Sequence, residues 1–371
     1  MSQNAPNQKI YKGIDIYDNC KEYSPKEGER NNFIQNKMMK FFKKISDSIF
    51  FTSDSKGTVY CLEFNKDTKT FKLTNLNYIC DDSKYILIDI IKSSKFDFYF
   101  SLNLNPCLNI FKIKDNINKK EVEIIQHINL RKNQNRMKYN KIFELNLIHN
   151  DCLILFGENL IEIWSNIAKN KNINYGCSQI LKIDNINNIN NDINDSCVIS
   201  NIYKLNNENI LLLNLSKFEI INIKISEIKS QNDGNKISPL IDIKNKINIK
   251  GVEGQIEKIS SLFMDKNYIF LGLTDSLVLI SISYAEIIQL YKIGKVVEMK
   301  ITNDKKHIFA FIDKGENKYF FIKFKYVDYE GLIEDKRIEY PNWIHKFDII
   351  EEQNLIIIYN IKGLITLLSF D

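Results

Sequence analysis

Residues 38–64 read MMKFFKKISDSIFFTSDSKGTVYCLEF, three short apolar runs separated by two polar turns. Short apolar runs bounded by Asp, Ser and Gly are typical of β-strands joined by tight turns. The stretch therefore predicts three antiparallel strands, and Phe71-Lys72-Leu73 predicts a weaker fourth strand. The predicted strands are Met39–Phe42, Ile49–Thr52 and Thr58–Leu62, with turns at Ser46-Asp47 and Asp54–Gly57.

The same pattern recurs along the chain at a spacing of roughly 40 to 58 residues, which is typical of propeller blades. The second strand of each copy is apolar at nearly every position, which indicates burial on both faces between neighbouring sheets. The remaining strands alternate, as half-buried strands do. We therefore predict an all-β fold, a seven-bladed β-propeller. Its blades lie at approximately 38–75, 84–126, 141–183, 198–244, 255–292, 295–340 and 343–371.

The two ends of the sequence complement each other. The last copy stops at Asp371 after its third strand, whereas residues 9–17 alternate like a strand and belong to no copy. We predict that 9–17 is a clasp strand that completes the last blade and closes the ring, which would remove two exposed sheet edges. Residues 1–371 would then form a single propeller domain. A two-domain β protein is the alternative.

Composition excludes several classes of protein. The chain is 44% apolar and 12% aromatic, so it can bury a large core and is not intrinsically disordered. Its 13 Gly and 5 Pro exclude a collagen-like fibre. The net charge of +5 comes almost entirely from Lys, which is weaker than the signature of a dedicated nucleic-acid binder. Heavy use of Asn, Ile and Lys is typical of an AT-rich genome.

Cysteine usage and the N-terminus favour an intracellular protein. The seven cysteines are odd in number, and none forms a CxxC pair, so a disulfide framework is not expected. Free cysteines fit a reducing compartment. The first residues are polar, and no run of about 18 uncharged apolar residues occurs. We expect a cytoplasmic or nuclear location without membrane insertion.

Motifs that carry catalysis or bind cofactors do not occur in the sequence. The four histidines show no metal-ligand spacing, and there is no Walker A loop, GxGxxG or GxSxG. We therefore predict no catalytic residue, no cofactor, no metal and no small-molecule substrate. A propeller enzyme is the least favoured alternative, although a ring brings distant residues together. The histidines are His127, His149, His307 and His345.

The repeat resembles the WD40-repeat family across nearly the whole chain. Asp54–Tyr60 is similar to the family's D-x-G-x-V hairpin, and Ile161–Ser165 is similar to v-x-i-W-D with Ser in place of Asp. No Gly-His or Trp-Asp dipeptide occurs, so the family's Asp-His-Ser-Trp network is mostly missing and apolar packing is expected to replace it. The resemblance implies a non-catalytic scaffold that binds other proteins within a larger assembly.

Three Lys- or Asn-rich segments, 115–136, 169–194 and 224–250, predict loops that project from the ring. Loops on a rigid scaffold often carry binding residues, but neutral insertions are also tolerated in such loops. RNA association, as a non-catalytic subunit in tRNA modification or ribosome assembly, is the alternative function, and the scarcity of Arg argues against it. The candidate contacts to a partner or RNA are Lys119, Lys120, Arg131, Lys132, Arg136 and Lys138.

Overall fold

A computed structural model provides the fold. It describes residues 10–15, 39–54, 57–76, 86–104, 107–116, 119–130, 139–147, 151–157, 160–166, 173–182, 199–204, 209–214, 219–229, 237–248, 261–264, 268–284, 286–327, 330–360 and 364–370. These residues are almost entirely β-strand, with a short 3-10 turn at Glu351–Gln353. No helix among them is long and apolar enough to cross a membrane.

The strands are short and follow one another through the chain. They are β1 (Ile10–Asp15), β2 (Met39–Ser46), β3 (Ile49–Asp54), β4 (Val59–Asn65), β5 (Thr70–Leu76), β6 (Leu87–Lys92), β7 (Tyr99–Asn103), β8 (Cys107–Asn116), β9 (Lys119–Asn129), β10 (Tyr139–Asn146), β11 (Asp151–Gly157), β12 (Leu160–Asn166), β13 (Tyr175–Lys182), β14 (Ile199–Lys204), β15 (Asn209–Asn214), β16 (Glu219–Lys229), β17 (Ile237–Asn248), β18 (Ser261–Met264), β19 (Tyr268–Gly272), β20 (Ser276–Ser281), β21 (Glu286–Lys292), β22 (Lys295–Ile301), β23 (His307–Asp313), β24 (Tyr319–Val327), β25 (Gly331–Tyr340), β26 (Lys346–Ile350), β27 (Leu355–Tyr359) and β28 (Leu364–Ser369).

Within the described ranges these strands form seven four-stranded antiparallel sheets, which we name A to G. The chain divides into two compact units, one made of residues 1–136 and 344–371 and the other of residues 137–343. The first unit holds sheets A (β1-β28-β27-β26), B (β2 to β5) and C (β6 to β9), and the second holds sheets D (β10 to β13), E (β14 to β17), F (β18 to β21) and G (β22 to β25).

The N-terminal strand pairs with the C-terminal strand. In sheet A, β1 runs antiparallel to β28, with Ile10 opposite Leu368 and Asp15 opposite Leu364. The pairing foreseen for the clasp segment is therefore present, over residues 10–15 of the expected 9–17. Because β28 would otherwise be a sheet edge, β1 satisfies its outward-facing backbone groups.

In five of the sheets, the second strand of the repeat is buried nearly throughout, as its apolar sequence predicts. Every residue of β7 and β27 is buried, and β3, β11 and β19 are buried after their first residue. The expected alternation of the other strands is wrong for β20, in which all six residues are buried. Alternation is clearest in the fourth strand β21, because that strand borders solvent on one face.

The D-x-G turn of sheet B forms as its residues predict. Asp54 Oδ1 accepts a hydrogen bond from Thr58 N at 2.9 Å, and Asp54 N donates to Thr58 O at 3.1 Å. Gly57 has a φ of +86°, a conformation that favours glycine. The fully buried Asp54 also accepts a hydrogen bond from the hydroxyl of Tyr60. The carboxylate of Asp54 therefore joins the strand before the turn to the strand after it.

A polar contact supplements the apolar packing of sheet D. Glu162 is buried and accepts hydrogen bonds from the Tyr139 hydroxyl and from Trp164 Nε1, each at 2.8 Å. Burial and the adjacent Glu162 raise the pKa of Tyr139 well above its ordinary range, so it stays protonated. Trp164 stands at the tryptophan position of the WD40-like motif, and here its indole is held by a residue of its own strand.

The prediction of three projecting loops is wrong where those segments continue the sheets. Strands β8 and β9 stay paired from Cys107 opposite Asn129 to Asn116 opposite Lys119. Residues 175–182 form β13, and 237–248 form β17 against β16. Alternating apolar residues, such as Val122 and Ile124 packed on the core between sheets B and C, explain why these Lys- and Asn-rich stretches remain strands.

Candidate interaction groove

The candidate contacts from the basic segment are not brought together among the described residues. Lys119 begins β9, and Lys120 follows it on the same strand. The ammonium of Lys120 lies 2.6 Å from Glu63 Oε1, so its charge is already neutralised by a neighbouring sheet. The other four candidates, Arg131, Lys132, Arg136 and Lys138, lie outside the described residues.

The described histidines do not form a catalytic group. His127 Nδ1 lies 2.5 Å from the side-chain oxygen of Asn109, and His307 is half-buried at the start of β23. Burial, reinforced by the ammonium of Lys323, lowers the pKa of His307 below its ordinary value. His345 precedes β26 instead of lying within the first strand of its sheet, and His149 lies outside the described residues. In the described part of the chain, no three His, Cys, Asp or Glu residues are grouped closely enough to hold a metal ion.

A groove of about 290 Å³ lies between sheets F and G of the second unit. This volume is at the lower limit for small-molecule sites, and it suits one or two side chains better than a nucleotide cofactor. We call it the F–G groove. It is lined by Tyr268, Leu279, Ile288, Gln289, Tyr326, Glu330 and Gly331.

Two tyrosines form one aromatic wall of the F–G groove. The ring centroids of Tyr268 and Tyr326 are 5.4 Å apart, with a 55° angle between the planes. The ring of Phe270 makes an edge-to-face contact with the ring of Tyr326, with 5.9 Å between the ring centroids. The backbone of Tyr326 is fixed by a 2.7 Å hydrogen bond to Lys306 O. Because Tyr268 begins β19 and Tyr326 lies near the end of β24, the two sheets each contribute one ring.

The side-chain amide of Gln289, which lines the groove, pairs with the backbone of Leu332 in the way that one strand pairs with another. Gln289 Nε2 donates to Leu332 O at 3.1 Å, and Leu332 N donates to Gln289 Oε1 at 2.8 Å. The neighbouring Gly331 has a φ of +83°, and a Cβ there would lie 2.4 Å from Gln289 Oε1. A larger residue at this position would have to strain its backbone and displace the side-chain amide of Gln289.

The outer strands around the groove expose apolar side chains. On β21, Ile288 is 52% exposed and Leu290 is 48% exposed, and Tyr284 in the preceding turn is 73% exposed. The pairing of β20 with β21 shifts register between Leu279 and Ile280, which leaves Ile288 as the extra residue of a bulge. Contiguous exposed apolar surface is a recognised feature of protein-binding sites.

Glu330 supplies the charge at the groove. Among the described residues that line the groove, Glu330 is the only charged one, and it is exposed. Within the described ranges it makes no ion pair. The polar groups of the described lining are the hydroxyls of Tyr268 and Tyr326, the amide of Gln289 and the carboxylate of Glu330.

Sequence reasoning missed this groove because it focused on basic segments. A signal was present in β21, whose sequence Glu-Ile-Ile-Gln-Leu-Tyr-Lys carries apolar residues at both odd and even positions. A strand with one solvent face should alternate, so Ile288 and Leu290 depart from the expected pattern. Such a departure in an outer strand indicates a second apolar surface.

No protein-family model matches the chain, and no curated protein matches it in sequence. Solved structures do resemble it. Saccharomyces cerevisiae Sqt1 has a TM-score of 0.57 at 12% identity, over 88% of this chain and 82% of that one. A chain of the Mitotic Checkpoint Complex has a TM-score of 0.55 at 8% identity, over 88% and 85%. A Lactobacillus plantarum protein has a TM-score of 0.54 at 8% identity, over 80% and 83%. The first two are WD40 propeller proteins, and the likeness shows that this chain shares their fold.

Proposed function

We propose that this chain is a non-catalytic scaffold that binds other proteins, a WD40-like subunit of a larger assembly. The observation that carries the proposal is the F–G groove, where Ile288 and Leu290 are exposed beside an aromatic wall. Apolar surface kept exposed at an outer strand costs solubility unless a partner covers it. The described lining is mostly apolar and aromatic, which suits the binding of side chains from a partner.

The proposal includes the architecture. We infer a single propeller over residues 1–371, with seven blades and a ring closed by β1. Seven four-stranded sheets among the described residues and the pairing of β1 with β28 support this arrangement. Both compact units are built from the same kind of sheet, and the first unit combines the two ends of the chain. A closed ring would be a rigid support for several binding surfaces.

The similar solved structures also support a scaffold function. One of them is a chain of the Mitotic Checkpoint Complex. A propeller that works within a multiprotein complex needs binding surfaces but no active site, which fits the groove described above. Fold similarity alone does not specify a partner, so the process served by this chain has to be identified by experiment.

RNA association remains a prediction that no described contact favours. Lys120 is neutralised by Glu63, Lys119 begins β9, and the other four candidates lie outside the described residues. A cytoplasmic or nuclear location likewise remains a prediction.

Tagged purification of the full chain from its native cell, with and without nuclease, separates the functions. We expect a fixed set of proteins, identified by mass spectrometry, that survives nuclease. Partners that disappear with nuclease, together with co-purified RNA, would replace the scaffold proposal with RNA association. A chain that purifies alone would contradict both.

A further inference from the structure

We propose that the F–G groove receives an arginine or lysine side chain from an extended segment of a protein partner, with Glu330 as its counter-charge. The inference rests on the proposed scaffold function and specifies the chemistry of the partner. It follows from the size of the groove, the nature of its walls and the charge at its mouth.

The walls fit a long side chain that ends in a cation. Tyr268, Tyr326 and Ile288 offer apolar and aromatic surface along the length of the groove. Arginine and lysine bury their aliphatic stems against such surface while the charged head stays near polar groups. A guanidinium or ammonium beside a tyrosine ring also gains from the negative face of that ring. At about 290 Å³ the groove holds a side chain, not a folded element.

The negative charge of Glu330 favours a positively charged ligand. Glu330 is exposed and makes no ion pair with any described residue, so an incoming cation finds an available carboxylate. An acidic side chain would be repelled. An apolar one would shield Glu330 from water without compensating it, which is unfavourable.

Basic groups of sheet G do not compete for Glu330. Phe324 and Tyr326 pack toward sheet F, so the intervening Lys325 lies on the opposite face of β24. Lys323 forms an ion pair with Asp335 at 3.3 Å. Arg337 makes a two-pronged contact with Glu334, with nitrogen–oxygen distances of 2.9 and 2.7 Å. Of these three cations, Lys325 lies on the far face, and Lys323 and Arg337 are already paired.

The groove is held open before any ligand arrives. The two hydrogen bonds between Gln289 and Leu332 tie β21 to β25, and Gly331 fits against the same amide. A preformed groove spends little free energy on ordering its own side chains when it binds. Because the groove is already formed, an exposed extended segment of a partner can bind it without a rearrangement of the groove.

Selection of random peptides displayed on phage, with the full chain as bait, tests the proposal. We expect an Arg or Lys at one recurring position of the selected peptides. A synthetic copy of the best peptide should bind Glu330→Gln about two- to fivefold more weakly than the natural chain. Glu330→Lys should instead select Asp or Glu. Glu316→Gln, in an exposed turn of the same sheet, is the matched control and should bind normally.

Tyr268→Leu provides a second variant at a site separate from Glu330. It removes part of the aromatic wall and should also weaken the selected peptide. Peptides without a recurring basic residue, or equal affinity for the natural chain and Glu330→Gln, would overturn the proposal. Failure to select any peptide would also overturn it. If nuclease-resistant partners still co-purify in that case, only the groove chemistry is wrong and the scaffold function stands.

Discussion

The side-chain amide of Gln289 forms two hydrogen bonds with the backbone of Leu332, in the way that one strand pairs with the next. The donor–acceptor distances are 3.1 Å from Gln289 Nε2 to Leu332 O and 2.8 Å from Leu332 N to Gln289 Oε1. Gln289 belongs to sheet F and Leu332 to sheet G, so a single side chain joins two sheets. The proposed binding groove depends on this link.

Gln289→Met should lower the free energy of unfolding by about 1–3 kcal/mol, because the backbone groups of Leu332 lose their partners. Lys292→Met is the control, since Lys292 is exposed on the same strand. Urea denaturation of both variants measures the difference. Equal free energies of unfolding for the two variants would show that the hydrogen bonds of Gln289 contribute nothing to stability.

Gly331→Ala should be more destabilising than Gly315→Ala. Both glycines have positive φ, +83° and +80°, but a Cβ at Gly331 would collide with Gln289 whereas one at Gly315 would meet nothing within 4 Å. Positive φ alone costs alanine about 1 kcal/mol or more, and the collision adds to it. Denaturant melts measure both. In a Gln289→Ala background the two glycine substitutions should become equally costly, and a persistent difference would exclude the collision as its cause.

Much of the fold was accessible from the sequence because each turn and strand is specified locally. Asp54 and Gly57 predict a tight hairpin, and the structure confirms both the carboxylate cap and the positive φ. The buried second strands were visible as continuous apolar runs, such as Leu355–Ile358. Lys- and Asn-rich stretches were misassigned as loops, since composition obscured their alternation in β9 and β17.

Glu162→Gln should destabilise sheet D by about 1–3 kcal/mol, because an amide oxygen replaces the two oxygens that serve Tyr139 and Trp164. The sequence has two tryptophans, so Trp343→Phe isolates the fluorescence of Trp164. We expect a shifted emission maximum along with the loss of stability. Glu121→Gln, exposed on β9, is the control. Unchanged emission and stability would argue against a shared acceptor.

Deletion of residues 1–15 should destabilise the chain and promote aggregation, because β28 becomes an open sheet edge. Each kcal/mol lost lowers Tm by about 2 °C in a chain of this size. Deletion of residues 1–8, which precede β1, is the control and should leave Tm unchanged. Thermal melts with light scattering compare the two. The same Tm for both deletions would contradict the role of β1 in closing sheet A.

His307 should make stability depend on pH. Burial and Lys323 lower its pKa in the folded state below the ordinary value of 6.5, outweighing Asp304 and Asp335, which act in the opposite direction. The unfolded chain then binds more protons between the two pKa values, so stability is full above pH 6.5 and falls as the pH drops toward the folded pKa. Melts at several pH values should show this loss in the natural chain and a smaller loss in His307→Gln. His127→Gln is the control, and an identical profile for all three proteins would rule out His307 as a source of the dependence.

The groove itself could not be derived from the sequence. Tyr268, Gln289 and Glu330 lie far apart in the chain, and only the packing of sheet F on sheet G brings them together. The link from Gln289 to Leu332 spans 43 positions and follows no motif. Local patterns specify strands and turns, whereas a site between sheets depends on register and on a bulge at Ile288.

The scaffold function is tested most directly by comparing the partners of three tagged chains after nuclease treatment. These are the natural chain, a variant with Ile288→Asp and Leu290→Asp in the groove region, and Leu104→Asp as a matched exposed control from the first unit. We predict that quantitative mass spectrometry finds the same protein set for the natural chain and Leu104→Asp, with at least one partner lost from the groove variant. An identical set for all three chains would show that the groove is not the docking site. No nuclease-resistant partner for any of them would contradict the scaffold function itself.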